Sequence, residues 1–538
     1  MVDLSRYSES QRDAILTNDK HLRIVACAGS GKTTTVAGKV AYLLDLENGF
    51  GISPENIIAF TYTEKAAAEL KNKILNNVEG LRGMANMYIG TIHGWCLKAL
   101  QENEYKYQSY SVLDEIKLKL FIDKYYDRIG MKEVTKLSNP SVPLRRFIDT
   151  SLFVQIMDII RESDRQELPD NLKRAKSMYE HMLNSKRYFD FSMIMDKAME
   201  CMEPGSNLSK RIQEDLKFLI VDEYQDINPI QERLISRIQE ISGCKLIVVG
   251  DDDQNIYQWR GSNNKYIINF ESKFSAENVK SIPLSVNYRS SEGITTLAET
   301  LISNNVQRIP DKEMSSDEKQ SFIKGQDILY NRFDSVEEEN EAIATYIDNI
   351  LGVPFTDESE TRGITFSDIS ILLRTWSKAG TIVEALERHN IPYITAGVNQ
   401  LFETREVEAA LGLFTYLYGD IDRDELKDLW LRLPNNKLAD NKLEKAISYL
   451  DSKMPKLPQV DTNWEYSLQG ILWDFIHYAD IYEDRFIDDS SAELLSRTTE
   501  RAEIIFFNLG KFSQVINDFE EINFNSSSPS FHLFSFLS

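Results

Sequence analysis

The segment Ala26-Cys27-Ala28-Gly29-Ser30-Gly31-Lys32-Thr33 constrains the fold more than any other stretch of this 538-residue chain. It follows a short β-branched and apolar run (Leu22, Ile24, Val25) and leads into residues Val36, Val40, Leu43 and Leu44 at helical spacing. A strand, a tight small-residue loop and a helix opening on Gly-Lys-Thr make a phosphate cradle. Small residues let backbone N–H groups approach phosphate oxygens, and the helix N-terminus adds partial positive charge. Lys32 is placed to reach the β- and γ-phosphates of a nucleoside triphosphate, and the Thr33 hydroxyl to ligate Mg²⁺. Ala26 stands where the first glycine of such loops is usual. An ordinary glycine turn is the competing reading, and the strand–loop–helix context weighs against it.

The fold class follows from what repeats around this loop. Short apolar runs recur at Leu22–Cys27, Asn56–Tyr62, Met87–Thr91, Phe218–Val221, Leu246–Val249 and Ser281–Leu284. Such runs, separated by helical stretches, predict an α/β protein with a parallel sheet covered on both faces. Between Lys98 and Leu216 the pattern is helical and charged, with helices expected over Leu113–Tyr126 and Pro143–Arg161. A polar stretch, Ile309–Lys324, marks a boundary or a mobile loop. A second α/β unit is expected after it, with a strand over Ile369–Leu373 and a helix over Ile382–His389, and the chain reads as helical from Gly419.

Composition narrows the partners only a little. Lysine and arginine total 61 against 84 acidic residues, a formal charge of −23. Taken alone this argues against nucleic acid, whose affinity comes mainly from phosphate contacts. A local groove can nevertheless be basic on an acidic body. The four cysteines (Cys27, Cys96, Cys201, Cys244) lack metal-ligand spacing and read as reduced thiols of a cytoplasmic protein. No run is long enough to span a bilayer, so no membrane is expected.

A second chemical group lies at the end of a later strand. Lys217-Phe-Leu-Ile-Val-Asp222-Glu223 closes on two carboxylates. Phosphoryl transfer needs such a pair, with Asp222 holding Mg²⁺ and Glu223 orienting or deprotonating the attacking water. In isolation two acids capping a strand mean little; with a phosphate loop upstream they mean more. Gln254, after Gly250-Asp-Asp-Asp, is placed to sense the γ-phosphate, and Arg289, in Asn287-Tyr-Arg-Ser290, to stabilise transition-state charge, with Tyr288 available to stack on the base.

The order and wording of these blocks resemble the UvrD/Rep/PcrA branch of superfamily 1 helicases. Ala26–Thr33 resembles its AGAGSGKT loop, Thr61–Ala67 its TFTNKAA, Gly90–His93 its GTFH, and Asp222–Asp226 its DEFQD. Gly250–Gly261 resembles GDxDQSIYxWRG, Asn287–Ser290 is NYRS, and Ile371–Arg374 and Phe402–Glu406 resemble the opening of the family's second motor domain. Gln11 resembles the family's adenine-reading glutamine. The resemblance implies RecA-like P-loop NTPase motor domains with inserted helical subdomains. Residues 1–97 and 217–295 would form the first motor domain (1A) and 98–216 its helical insertion (1B). Residues 296–418 would begin the second (2A), with 419–538 a further helical insertion (2B).

It further implies ATP and Mg²⁺ as ligands, with ATP held by Gln11, the loop Ala26–Thr33 (including Cys27, Ala28, Gly29, Ser30 and Gly31), Thr34 and Tyr288. Single-stranded DNA or 3′-tailed duplex would cross the domain tops. Its bases would stack on Tyr62, Tyr257 and Trp259, and its backbone would meet Thr63, Thr91, His93 and Arg260. A stacking track suits an enzyme that must grip every sequence, since each base has a π-face. Without the family, Tyr257 and Trp259 would more often be core, and His93 a satisfied buried histidine. The function implied is an ATP-dependent 3′–5′ DNA helicase of repair, recombination or defence, with a nuclease or other repair or defence subunit as a candidate partner. The alternative is an ATP-gated single-strand-binding module with little turnover; a small-molecule kinase is a remote third reading.

Four positions depart from the family pattern: Thr34, Gln258, Ser262, and Glu64, which sets an acid beside the DNA track. No segment resembles the later TxHxxKGLEW or VALTRA-like blocks, and the last residues, Phe531–Ser538, are mostly apolar. The expectation is therefore a chain without the later part of its second motor domain.

Overall fold

The computed structural model describes residues 3–77, 84–136, 139–162, 168–258, 261–310, 312–320, 328–357, 360–395, 401–454, 466–523, 533 and 536–537. The chain divides into two compact units, Met1–Leu329 and Tyr330–Ser538.

The first unit is built on a six-stranded sheet of β1 (His21–Ala26), β2 (Ile57–Thr61), β3 (Tyr88–Thr91), β4 (Phe218–Val221), β5 (Lys245–Gly250) and β6 (Val279–Leu284). Their spatial order is β6-β1-β5-β4-β2-β3 and every pairing is parallel. β1, β2 and β4 are buried at every position; β2 and β4 accordingly read as near-continuous apolar runs, while β1 buries His21 and Arg23 among its apolar residues. Helix α1 (Glu9–Leu16) precedes β1, and one face of the sheet (Leu22, Ile24, Ile57, Ala59, Phe218, Ile220, Ile247, Val249) packs on Val36, Val40 and Leu43 of α2 (Lys32–Leu44) and on Leu70 and Ile74 of α3 (Glu64–Asn77). Each such aliphatic side chain taken from water contributes about 1.5–3 kcal/mol.

Between β3 and β4 the chain leaves the sheet for a helical insertion. Its helices are Glu115–Lys124, Thr150–Glu162, Asp170–Lys186, Phe191–Glu200 and Asn207–Asp215. The sheet is undisturbed by the excursion: β4 returns beside β2 with Ile57 opposite Phe218 and Phe60 opposite Val221. The Thr150–Glu162 helix starts later than the expected Pro143. Asn139–Pro143 pairs instead with Thr135–Lys136, and Phe147 takes a left-handed backbone at φ 66 that no helix accepts. Buried Arg161 anchors the insertion through both carboxylate oxygens of Asp190, each at 2.7 Å.

The second unit carries helices Val336–Ile350, Ala379–Arg388, Arg405–Tyr418, Arg423–Leu431, Asp440–Lys453, Leu468–Tyr478 and Ala492–Asn523. The strand expected over Ile369–Leu373 is not formed. Ile369 and Ile371 pack on Ala344, Ile347, Ile382 and Leu386, but Leu372 is 91% exposed and no strand lies alongside among the described residues. The apolar pattern is right for a strand; the ladder partner is missing. Among the described residues no helix is long and apolar enough to cross a membrane, and all four cysteines are free thiols.

Because all six strands of this sheet run the same way, their carboxyl ends share one edge of the sheet. The phosphate loop and the Thr61–Ala67, Gly90–His93, Asp222–Asp226, Gly250–Gly261 and Asn287–Ser290 blocks each lie at or just after one of those ends, the usual place for a ligand crevice in such sheets.

Candidate functional site

The loop after β1 is bent by two glycines in the left-handed region, Gly29 (φ 68) and Gly31 (φ 82). Neither tolerates a side chain. A Cβ on Gly29 would fall 2.5 Å from Asn287 Oδ1 and one on Gly31 2.9 Å from Gln11 Nε2. Gly31 caps α2, so the first N–H groups of that helix open toward the loop without intrahelical acceptors. Ala26, Cys27 and Ser30 are buried, Ala28, Lys32 and Thr33 half-buried, and Thr34 exposed. The Ser30 hydroxyl is buried without a hydrogen-bond partner among the described residues. A buried unpaired hydroxyl, a helix N-terminus and a lysine together fit a bound polyphosphate. Gln11, held by a capping box with Ser8, donates from Nε2 to the Ser30 carbonyl at 3.1 Å, which places it against the loop.

β4 delivers the two carboxylates. Asp222 extends the ladder through its N–H to Phe60 O at 2.9 Å and accepts the Glu223 N–H on Oδ1, also at 2.9 Å. Glu223 adopts a left-handed backbone (φ 50), uncommon for a residue with a side chain. Its Oε2 accepts from Lys32 Nζ at 2.9 Å and from Gln225 Nε2 at 2.8 Å. Burial, and next the charge of Glu223, push Asp222 up to about 6, with Lys32 opposing. Burial and Glu223 likewise raise Asp226 to about 6, and its Oδ1 has no hydrogen-bond partner among the described residues. A divalent cation beside Asp222 and the Thr33 hydroxyl would relieve the burial and repulsion that raise these carboxyl groups.

The NYRS block lies against the loop. Tyr288 N donates to Gly29 O at 2.9 Å, and Asn287 Oδ1 accepts from the N–H groups of Arg289 and Ser290, both at 2.8 Å. Tyr288 is partly exposed beside it. Gln254 ends a short turn after β5, and its Nε2 donates to Asp251 Oδ2 at 2.6 Å.

A cleft of about 710 Å³ runs from these carboxylates along the sheet edge into the insertion. Asp222, Glu223, Tyr62, Thr63, Thr91, His93 and Tyr257 all line it. The rings of Tyr62 and Tyr257 stack at 5.4 Å with an interplanar angle of 19°. Thr63 and Thr91 hydroxyls accept the Ala66 and Gly94 N–H groups at helix starts, and Thr91 also donates to Glu64 Oε1 at 2.8 Å. His93 meets the edge of Phe191 at 5.0 Å, and burial lowers its pKa to about 4, so the ring is neutral near pH 7. Trp259 and Arg260 lie outside the described residues. Three participants were not picked out from the sequence: Gln225, Asp226 and Phe191. The first two lie in the DEYQD block beside Asp222 and Glu223, a signal that spacing alone carried; Phe191 follows no motif.

Comparison with known proteins bears on the whole arrangement. Residues 7–275 match the UvrD/REP helicase N-terminal domain, and residues 282–455 the UvrD-like helicase C-terminal domain. The chain is 28% identical over 411 residues to an ATP-dependent DNA helicase PcrA of Leuconostoc citreum, covering 74% of this chain and 51% of the relative. It is 25% identical over 549 residues to an ATP-dependent DNA helicase PcrA of Staphylococcus aureus, covering 96% of this chain and 70% of the relative. With a DNA helicase II of Haemophilus influenzae it shares 28% identity over 468 residues, 83% of this chain and 57% of that protein. The chain thus spans between about half and 70% of the length of these relatives.

Proposed function

The chain belongs to the UvrD/REP helicase family, and from that premise we propose that it couples ATP hydrolysis to 3′–5′ movement along single-stranded DNA or a 3′-tailed duplex. In this reading residues 1–97 with 217–295 are the first motor domain and 98–216 its helical insertion; residues 296–418 begin the second motor domain, and 419–538 are a further helical insertion. That all six sheet strands fall within the first two ranges supports the division.

One observation carries the proposal. The carboxylates suited to hydrolysis and the stacked tyrosines suited to bases line a single cleft, so an event at one end is mechanically adjacent to the other. Before nucleotide arrives, Lys32 is held by Glu223. ATP draws the ammonium to its β- and γ-phosphates and leaves Glu223 Oε2 free to accept a proton from water. The water oxygen attacks the γ-phosphorus, the bond to the β,γ-bridging oxygen breaks, and ADP departs with the electron pair. Arg289 and Gln254 face the charge that develops. Mg²⁺ bound by Thr33 and Asp222 would neutralise phosphate charge.

The test is ATP hydrolysis by the whole chain with and without oligothymidine. We expect turnover that rises with DNA and falls about 10²–10⁴-fold in Glu223→Gln, the range of a lost general base, and disappears in Lys32→Ala. A chain that binds both ligands without DNA-stimulated turnover would instead be an ATP-gated single-strand-binding module.

A further inference from the structure

The polar stretch after the Glu292–Ile302 helix contains a buried cation. Lys312, its side chain 7% exposed, pairs through Nζ with Asp251 Oδ1, with Asp252 Oδ1 at 2.9 Å and with Asp253 Oδ2 at 2.8 Å. The three carboxylates bring one oxygen each within 4.8 Å of one another, a spacing that would suit a metal ion. Here the ammonium of Lys312 supplies the positive charge. The same stretch adds Arg308, 2.9 Å from Asp253 Oδ2, and the Ile309 N–H, 2.8 Å from Asp252 Oδ2. Three residues beyond Lys312, Ser315 and Ser316 run beside Val286 and Asn287, and Gln320 Nε2 donates to Tyr288 O at 2.7 Å.

What Lys312 holds leads directly to the phosphate site. Asp251 Oδ2 takes the amide of Gln254 at 2.6 Å. The Asp251 N–H donates to Gln225 Oε1 at 3.0 Å, and Gln225 Nε2 donates to Glu223 Oε2, the oxygen that clasps Lys32. We infer that Lys312 is a positioning residue for the γ-phosphate, acting through Asp251 on the orientation of Gln254 and, through Gln225, on Glu223. Three aspartates this close repel one another. Without the ammonium, Asp251 must turn away or take up a proton, and in either case Gln254 loses the acceptor that aims its amide. Asp252 occupies the variable position of the GDxDQ block, so the third carboxylate of the clamp belongs to this chain rather than to the general pattern.

The inference rests on the ATP-hydrolysing reading above, and the experiment separates the two. The full chain and its Lys312→Met, Lys312→Arg, Gln254→Ala and Lys312→Met/Gln254→Ala variants are compared in steady-state ATPase at saturating oligothymidine. The same proteins are titrated with ADP and with ATPγS. Lys312→Met should lower kcat roughly 10- to 100-fold, the scale of a misplaced catalytic group, with KM for ATP little changed, and Lys312→Arg should restore most of it. The double variant should be no slower than the slower single one. In the titrations Lys312→Met should lose the wild-type discrimination between ATPγS and ADP while still binding ADP. An unchanged kcat and an unchanged discrimination would overturn the inference, as would losses that multiply in the double variant. A wild-type chain that turns over no ATP sinks the enzymatic reading alone; the ATPγS-to-ADP discrimination then decides Lys312 by itself.

Discussion

Lys32 Nζ lies 2.9 Å from Glu223 Oε2, so the cation suited to phosphate and the base suited to water neutralise each other across the cradle. The pair joins the loop after β1 to the end of β4, two strands separated in the sheet only by β5. Breaking it is the first thing a nucleotide must do. Glu223→Gln should therefore keep ATP binding as tight as in the wild type or tighter, while removing the proton acceptor. Titration with a fluorescent ATP analogue checks the first expectation; a large loss of affinity would show that Glu223 builds the pocket instead.

Glu64 binds the Thr91 hydroxyl on the wall of the cleft, at the start of α3, where an incoming phosphate would compete with it. Glu64→Asn should raise affinity for oligothymidine about two- to tenfold at low salt, with a smaller gain at high salt, as screening requires. Fluorescence anisotropy across a salt series measures this. Equal affinities at every salt concentration would separate Glu64 from the DNA path.

Tyr62 and Tyr257 stack on one another at 5.4 Å. If bases take up this platform, Tyr257→Ala should weaken single-strand binding by about 1–3 kcal/mol whatever the base composition. The fluorescence-anisotropy comparison uses oligothymidine and oligoadenine; an unchanged affinity for both assigns the pair to packing.

In the second unit His389 sits between Glu341, 3.0 Å from Nε2, and Asp348, 3.0 Å from Nδ1. Glu341 first and Asp348 next raise its pKa above the ordinary histidine value. A raised folded-state pKa means stability that is fully present below about 6.5 and lost as pH climbs through the folded value. Thermal melts of the second-unit transition should lose stability as the pH rises above about 6.5, and His389→Gln should flatten that dependence. A parallel decline in both proteins would exclude His389 as its source.

Much of the sheet was legible because its four inner strands are buried on both faces. Phe218–Val221 has the expected bounds, and β1, β2 and β5 differ by a residue at each end. A buried parallel strand writes itself as an apolar run, and parallel direction then gathers the motifs at one edge without further information. Ile369–Leu373 shows the limit of that logic: the run is apolar, but a strand exists only beside another strand. Lys312 was illegible for a different reason. Ile309–Lys324 is polar and reads as a loop, and nothing local shows that one of its lysines is buried among three aspartates more than fifty positions earlier. Long-range charge pairing leaves no periodicity.

The most direct measurement is the ATPase rate of the whole chain at saturating ATP as oligothymidine is added. A cleft shared by carboxylates and stacked tyrosines predicts a saturable rise with DNA, absent from Glu223→Gln and shifted to higher DNA concentration in Tyr257→Ala. A rate that ignores DNA in the wild type while DNA is demonstrably bound would contradict the coupling of the two ends.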